Sequence, residues 1–223
     1  MAFDLAAKNG HLKVVEWLHS NTNAGCTHAA MDLAAAHNRI EIVKWLHENR
    51  TEGCSVAAID RAAGHGHLEM VKWLHCNTAS RCTVKAMNSA AENDRIDVVE
   101  WLHLNRMEGC SDEALTNAAR NGHLAMVEWL HRNINRINMT EKWPRYAMEV
   151  AAAKGDLRIV EWLHNSADVC TSEVWDLAAA NNRIDIVEWL HFNRAKGCSE
   201  DDMDLAAKIG HLAMVEWLCS NRT

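Results

Sequence analysis

Apolar positions recur along the chain at a fixed interval. Trp17, Trp45, Trp73, Trp101 and Trp129 are evenly spaced, and Trp162, Trp189 and Trp217 continue the series. Each sits in a Val-x-Trp-Leu-His-like stretch. A period of this size marks units that bury an apolar face only by stacking on neighbours. Within the copy 27–54, Ile40, Ile42, Val43, Leu46 and His47 fall in one arc at about 100° per residue. Trp45 flanks that arc and Glu41, Lys44 and Glu48 face away, which predicts a helix from Ile40 to about Asn49. A first helix runs through Leu33-Ala34-Ala35 and breaks at Asn38-Arg39; its paired small residues permit close helix approach. Each copy is therefore expected to be a helix-turn-helix.

The start of the first helix is marked by Ser or Thr at Thr27, Ser55, Thr83, Ser111, Thr171 and Ser199, suited to accept a hydrogen bond from a free helix N–H. Asp112, Glu113, Glu173, Glu200 and Asp201 follow, at the positive end of the helix dipole. Before each cap stands a cysteine: Cys26, Cys54, Cys82, Cys110, Cys170 or Cys198. Five positions later come Met31, Ile59, Met87, Leu115, Trp175 or Met203, the spacing of a hydrophobic staple. Equivalent atoms of stacked helices lie roughly 8–10 Å apart, beyond the roughly 7 Å limit for bridged Cα atoms. The cysteines are expected to be free thiols that share no zinc.

The repeat also carries His19, His47, His75, His103, His131, His164 and His191 within the apolar arc, and Cys219 in the last copy. Each is alone at this position of its unit. The expectation is a buried neutral imidazole bonded to backbone of the following loop, which would make folding sensitive to acid. Trp is expected to pack across the joint between units, contributing roughly 4–6 kcal/mol if fully buried.

A longer period underlies the first. Turns alternate between Gly10-His11-Leu12, Gly66-His67-Leu68 and Gly122-His123-Leu124 on one hand, and Asn38-Arg39-Ile40 and Asp94-Arg95-Ile96 on the other. The ancestral block is then a pair of repeats rather than a single one. Gly155-Asp156-Leu157 breaks the alternation, just after an insertion from Asn133 to Pro144 that holds the only proline. That segment is either a functional loop, with Arg136, Lys142 and Trp143 as its candidate contact residues, or a scar of unequal recombination.

Composition narrows the function. The 223 residues include ten Gly and one Pro, are 48% apolar, and carry no polar low-complexity run, so an ordered chain is expected. A net charge of -7 argues against nucleic acid. No run approaches the roughly 18 apolar residues of a membrane span, and the start lacks signal-peptide character, so a cytoplasmic or nuclear protein is expected. No phosphate loop, His-Glu-x-x-His or nucleophile elbow is present, and neither catalysis nor a cofactor or metal is expected.

The stretches Leu5 to Leu18 and Leu205 to Leu218 read Leu-Ala-Ala-x-x-Gly-His-Leu-x-x-Val-x-Trp-Leu, which resembles the ankyrin-repeat consensus across the whole chain. Most units are shorter than the roughly 33 residues of that family, and they lack its Thr-Pro-Leu-His start. The shortfall lies at Asn49 to Gly53, where ankyrin repeats project a β-hairpin. The resemblance implies an all-α, right-handed solenoid of about eight stacked helix-turn-helix units with little or no β-hairpin, divided at 1–26, 27–54, 55–82, 83–110, 111–143, 144–170, 171–198 and 199–223. It implies a scaffold that binds another protein on a concave first-helix surface. The residues before the turn vary between units, so His37, His65, Glu92, Asn93, Arg120, Asn121, Lys154, Asn181 and Lys208 are the candidate partner-binding residues. The alternative is head-to-tail self-association, because neither the opening Met1 to Leu5 nor the closing unit resembles a polar cap.

Overall fold

The computed structural model describes residues 2–22, 25–133, 143–167, 171–193 and 200–221. Among them are sixteen α-helices and no strand. The chain divides into two compact units, Met1–Ala114 with Ile134–Asn138, and Leu115–Asn133 with Met139–Thr223. Cys170, Cys198, Arg136 and Lys142 lie outside the described residues.

In the first unit, helical hairpins form from α1 (Ala2–Asn9) and α2 (Leu12–Asn21), α3 (His28–Ala36) and α4 (Ile40–Asn49), α5 (Val56–Gly64) and α6 (Leu68–Asn77), and α7 (Val84–Glu92) and α8 (Ile96–Asn105). First helices stack on first helices, α1 on α3 on α5 on α7. The unit boundary falls within α9 (Asp112–Arg120). The second unit continues with α10 (Leu124–Arg132), α11 (Trp143–Lys154), α12 (Leu157–Ala167), α13 (Ser172–Ala180), α14 (Ile184–Asn193), α15 (Glu200–Ile209) and α16 (Leu212–Asn221). There α11 packs on α13 and α13 on α15, with α10, α12, α14 and α16 stacked in the same order. The buried alanine pairs Ala34-Ala35, Ala62-Ala63 and Ala90-Ala91 line the first-helix stack; their short side chains allow that approach. Ile42, Val43 and Leu46 fill the inner side of α4, and Met70, Val71 and Leu74 that of α6.

Thr27, Ser55 and Thr83 cap their helices as expected, each side chain accepting from the N–H two residues on. Thr171 holds the same position, but its side chain does not make the cap bond that the other three make. Cys26, Cys82 and Cys110 are buried, as are Met31, Met87 and Leu115, their staple counterparts; Cys54 is half-buried. The six described cysteines are free thiols.

Each turn between the two helices of a hairpin passes through the left-handed region, at Gly10, Gly66, Gly122, Gly155 and Gly210 or at Asn38, Asp94 and Asn182. Gly, Asn and Asp tolerate that conformation best, which explains why the alternating turns share these residues. The alternation itself has a side-chain cause. The arginine of one turn lies across the bare glycine of the previous turn. A Cβ on Gly10 would come within 3.0 Å of Arg39, one on Gly66 within 2.6 Å of Arg95, and one on Gly155 within 3.0 Å of Arg183. Arg39 Nε donates to the Lys8 carbonyl at 3.4 Å, and Arg183 Nε to the Ala153 carbonyl at 3.3 Å. In the other turn type the histidine makes the equivalent reach, as His211 Nε2 does to the Ala180 carbonyl at 3.0 Å. Where the alternation breaks, Gly122 faces Asp156, whose Oδ2 would stand 3.0 Å from an added Cβ.

A second tie was missed by the reading of the chain. Asp60 is only 9% exposed. It accepts from the Thr83 amide at 2.8 Å and from the Thr83 hydroxyl at 2.7 Å. Asp32 does the same to Ser55 at 2.8 and 2.5 Å, and Asp4 accepts from the Thr27 amide at 3.2 Å. In the next copy Asn88 replaces the carboxylate: its Oδ1 accepts from the Ser111 amide at 3.0 Å and its Nδ2 donates to the Ser111 hydroxyl at 2.7 Å. The capping residue of one repeat is thus itself held by the first helix of the repeat before.

The histidine ladder departs from expectation. His19 and His47 are exposed and the others half-buried, because the buried strip of each second helix is narrower than the projected arc. Six of the rings meet the tryptophan of the next repeat edge-on: His19 with Trp45 at 5.2 Å, His47 with Trp73 at 5.4 Å, His75 with Trp101 at 5.2 Å, His131 with Trp162 at 5.1 Å, His164 with Trp189 at 5.2 Å and His191 with Trp217 at 5.4 Å. The indoles do bridge the joint between repeats. They are half-buried there, which halves the full-burial estimate to roughly 2–3 kcal/mol. Trp17, which no histidine meets among the described residues, is 60% exposed.

Candidate functional site

The pre-turn residues expected to contact a partner first perform a local task. His37 and His65 follow the last turns of α3 and α5, and each Nδ1 folds back to donate to the carbonyl four residues earlier, at 2.9 and 2.8 Å. Asn93 and Asn181 do likewise with their Nδ2 amides, at 2.8 Å each. Carbonyls at a helix end lack intrahelical donors, so a short side chain with an N–H is favoured here. His and Asn interchange because both supply that donor. These side chains remain exposed, as do Glu92, Asn121, Lys154 and Lys208; Arg120 is exposed and donates to Asn117 Oδ1 at 2.5 Å.

Two recesses gather most of these residues. In the first unit a groove of about 640 Å³ runs between α5 and α7, and both His65 and Asn93 line it. It exists because the facing residues are small: a Cβ on Gly64 would meet the Ser89 Cβ at 2.9 Å. Val56, Ala57 and Val84 give it apolar surface, and Arg61, Lys85 and Arg95 surround that surface with positive charge. Beside it, the His65 ring stacks on His37 at 6.4 Å and on His67 at 5.8 Å. Burial, followed by the charge of His65 and then of Arg95 and His37, lowers the His67 pKa against the opposing pull of the Ala36 carbonyl. In the second unit a recess of about 570 Å³ holds Arg120, Asn121 and Lys154 with Asp156 and Arg158. His37, Glu92, Asn181 and Lys208 line neither recess. Trp143 opens α11 and is 4% exposed, with its ring 5.3 Å from His131. It is a packing residue of a helix rather than a loop contact.

The two-repeat period surfaces again in a polar cluster. Arg50 pairs with Glu52 at 2.5 Å and donates to His19 Nδ1 at 3.4 Å; at the equivalent place one pair of repeats later, Arg106 pairs with Glu108 at 2.6 Å and donates to His75 Nδ1 at 3.1 Å. The expected backbone partner of these imidazoles is replaced by an arginine. The Arg50 hydrogen bond holds the Glu52 carboxyl down at about 2. Burial raises the Cys26 and Cys82 thiols beside these pairs, and pushes Cys110 up to about 12. A protonated thiol is a poor nucleophile, so these clusters tie repeats rather than activate a cysteine. Among the described residues no group of three His, Cys, Asp or Glu side chains could hold a metal ion, and no helix is long and apolar enough to cross a membrane.

Two family models match the chain. One for ankyrin repeats (many copies) covers residues 26–75 and 87–131, and one for ankyrin repeats (3 copies) covers 115–202. No curated protein matches this chain by sequence. Among solved structures, the crystal structure of the human ASB11 ankyrin repeat domain is similar over 100% of this chain and 98% of its own, with a TM-score of 0.57 and 16% identity. A likeness at that identity concerns the fold alone.

Proposed function

The chain belongs to the ankyrin-repeat family, and from that premise we propose that it is a non-catalytic scaffold whose first-helix face binds a segment of another protein. Ankyrin repeats are in general protein-protein interaction modules. The reading rests chiefly on one observation: His65 and Asn93, at the positions that vary between repeats, line a groove between first helices, and Arg120, Asn121 and Lys154 line a recess of their own. His37, Glu92, Asn181 and Lys208 extend the same series of positions, within a division of the chain into the eight repeats set out above. The raised thiols support a binding role over a chemical one.

The test is affinity capture with matched surface variants. Partners retained by the wild type should be lost on Arg61→Glu with Lys85→Glu, or on Arg120→Glu with Lys154→Glu, and kept on Asp97→Lys with Glu100→Lys, which alters exposed second-helix residues. Partners that depend only on the α8 substitutions would overturn the first-helix assignment. Mass that grows with concentration in light scattering would instead put self-association first.

A further inference from the structure

The α5–α7 groove has a chemistry that narrows its occupant. Its apolar surface is aliphatic, Val56 and Val84, each more than two-fifths exposed. Arg61, Lys85, Arg95 and His65 stand around it, and the three permanent cations have no carboxylate partner among the described residues. One acid, Asp60, is among the lining residues beside three permanent cations, and both its oxygens are taken up by Thr83; nearby, Glu113 accepts from Asn88 at 3.0 Å. Glu92 does not line the groove. A cluster of unpaired cations on a chain of net charge -7 is a local reversal of sign, and such a reversal attracts a partner of opposite charge.

Resting on the first-helix reading above, we infer that this groove takes an acidic peptide segment in which a carboxylate side chain lies next to an aliphatic one. The aliphatic group covers Val56 and Val84 while the carboxylate meets the guanidinium of Arg61 or Arg95, a pairing that can be bidentate. The volume of about 640 Å³ lies inside the usual range of about 300–1,000 Å³ for small binding pockets. Nucleic acid fits less well, because no Trp, Tyr or Phe lines the groove and the His65 ring is already stacked against His37 and His67.

The experiment is selection of random 12-residue displayed peptides on the full chain, followed by fluorescence anisotropy with the most enriched peptide. Enriched sequences should place Asp or Glu beside Leu, Ile, Val or Met. Their affinity should fall at least about tenfold on Arg61→Glu with Lys85→Glu, with an unchanged thermal melt, and should weaken between 0.05 and 0.5 M salt as screening requires. A peptide with its acids changed to Lys should bind that variant better than the wild type. No enrichment, enrichment without acids, or affinity indifferent to Arg61 and Lys85 overturns the groove assignment. Binding lost instead on Arg120→Glu with Lys154→Glu overturns the groove and leaves the first-helix reading standing; binding lost only on Asp97→Lys with Glu100→Lys overturns both. A labelled 12-residue oligouridine that binds wild type and is lost on the Arg61 and Lys85 variant overturns the peptide.

Discussion

Asp60 and Thr83 lie 23 residues apart in sequence and share two hydrogen bonds, from the Thr83 amide at 2.8 Å and its hydroxyl at 2.7 Å. The carboxylate supports the cap of the helix that packs beside its own. Asp60→Ala removes an acceptor from a nearly buried site, and hydrogen bonds to a charged group contribute about 1.5–3 kcal/mol each. A loss of at least about 3 kcal/mol is expected in urea denaturation, whereas Asp60→Asn should cost less than half of that, since Asn88 makes the same tie in the next copy. Equal losses for the two substitutions would contradict this account.

Gly66 combines a left-handed backbone, φ +80°, with a side chain lying across it, whereas Gly109 at φ +67° has nothing within 4 Å of an added Cβ. Gly109→Ala should therefore show only the conformational penalty of about 1–2 kcal/mol. Gly66→Ala should exceed it, and Arg95→Ala in the same chain should recover the excess. A double-mutant cycle with a coupling near zero would show that Arg95 and Gly66 do not constrain each other.

His67, a turn residue outside the tryptophan-linked ladder, makes folding sensitive to acid. Its pKa is lowered in the folded chain, so the unfolded chain binds the proton more readily. The stability this gives is complete above the unfolded value of about 6.5 and is lost as pH falls through the folded pKa. His67→Arg places there the residue that the alternate turns use. Between pH 7.5 and 5 its denaturation midpoint should drop less than that of the wild type. Parallel curves would remove His67 as a source.

Thiol labelling should sort by burial. Cys76 and Cys219 are exposed, while Cys110 is buried with its pKa pushed to about 12. Mapping of iodoacetamide adducts on the native chain at pH 8 should find Cys76 and Cys219 modified first and Cys110 last. Early modification of Cys110 would mean that the cap of α9 opens readily.

What was legible in the chain was whatever repeats in one helix. The arc of Ile42, Val43 and Leu46, the caps at Thr27, Ser55 and Thr83, and the alternation of Gly-His and Asn-Arg turns could all be read from spacing. The physical reasons for the alternation could not, because Arg95 acts on Gly66 from the following repeat. Asp32 and Asp60 recur at the same spacing as the tryptophans, yet a polar residue beside Leu-Ala-Ala suggests a solvated face. Only the packing of successive first helices shows that they turn inward. His47 erred in the other direction: a projected arc has no depth, and the ring sits at its exposed margin. The candidate site was legible as a series of variable positions, but the small facing residues Gly64 and Ser89, which open the groove, left no mark of their own.

The side-chain ties all join neighbours over nearly the same length of chain: 23 residues from Asp60 to Thr83, 26 from His47 to Trp73, and 30 from Ala153 to Arg183. The loop that must close before any of them forms is therefore nearly constant, whatever the number of repeats. Loop-closure entropy per contact does not grow as the array lengthens. Folding can begin at any adjacent pair and advance by zipping, so the conformational search is set by one joint rather than by the full chain.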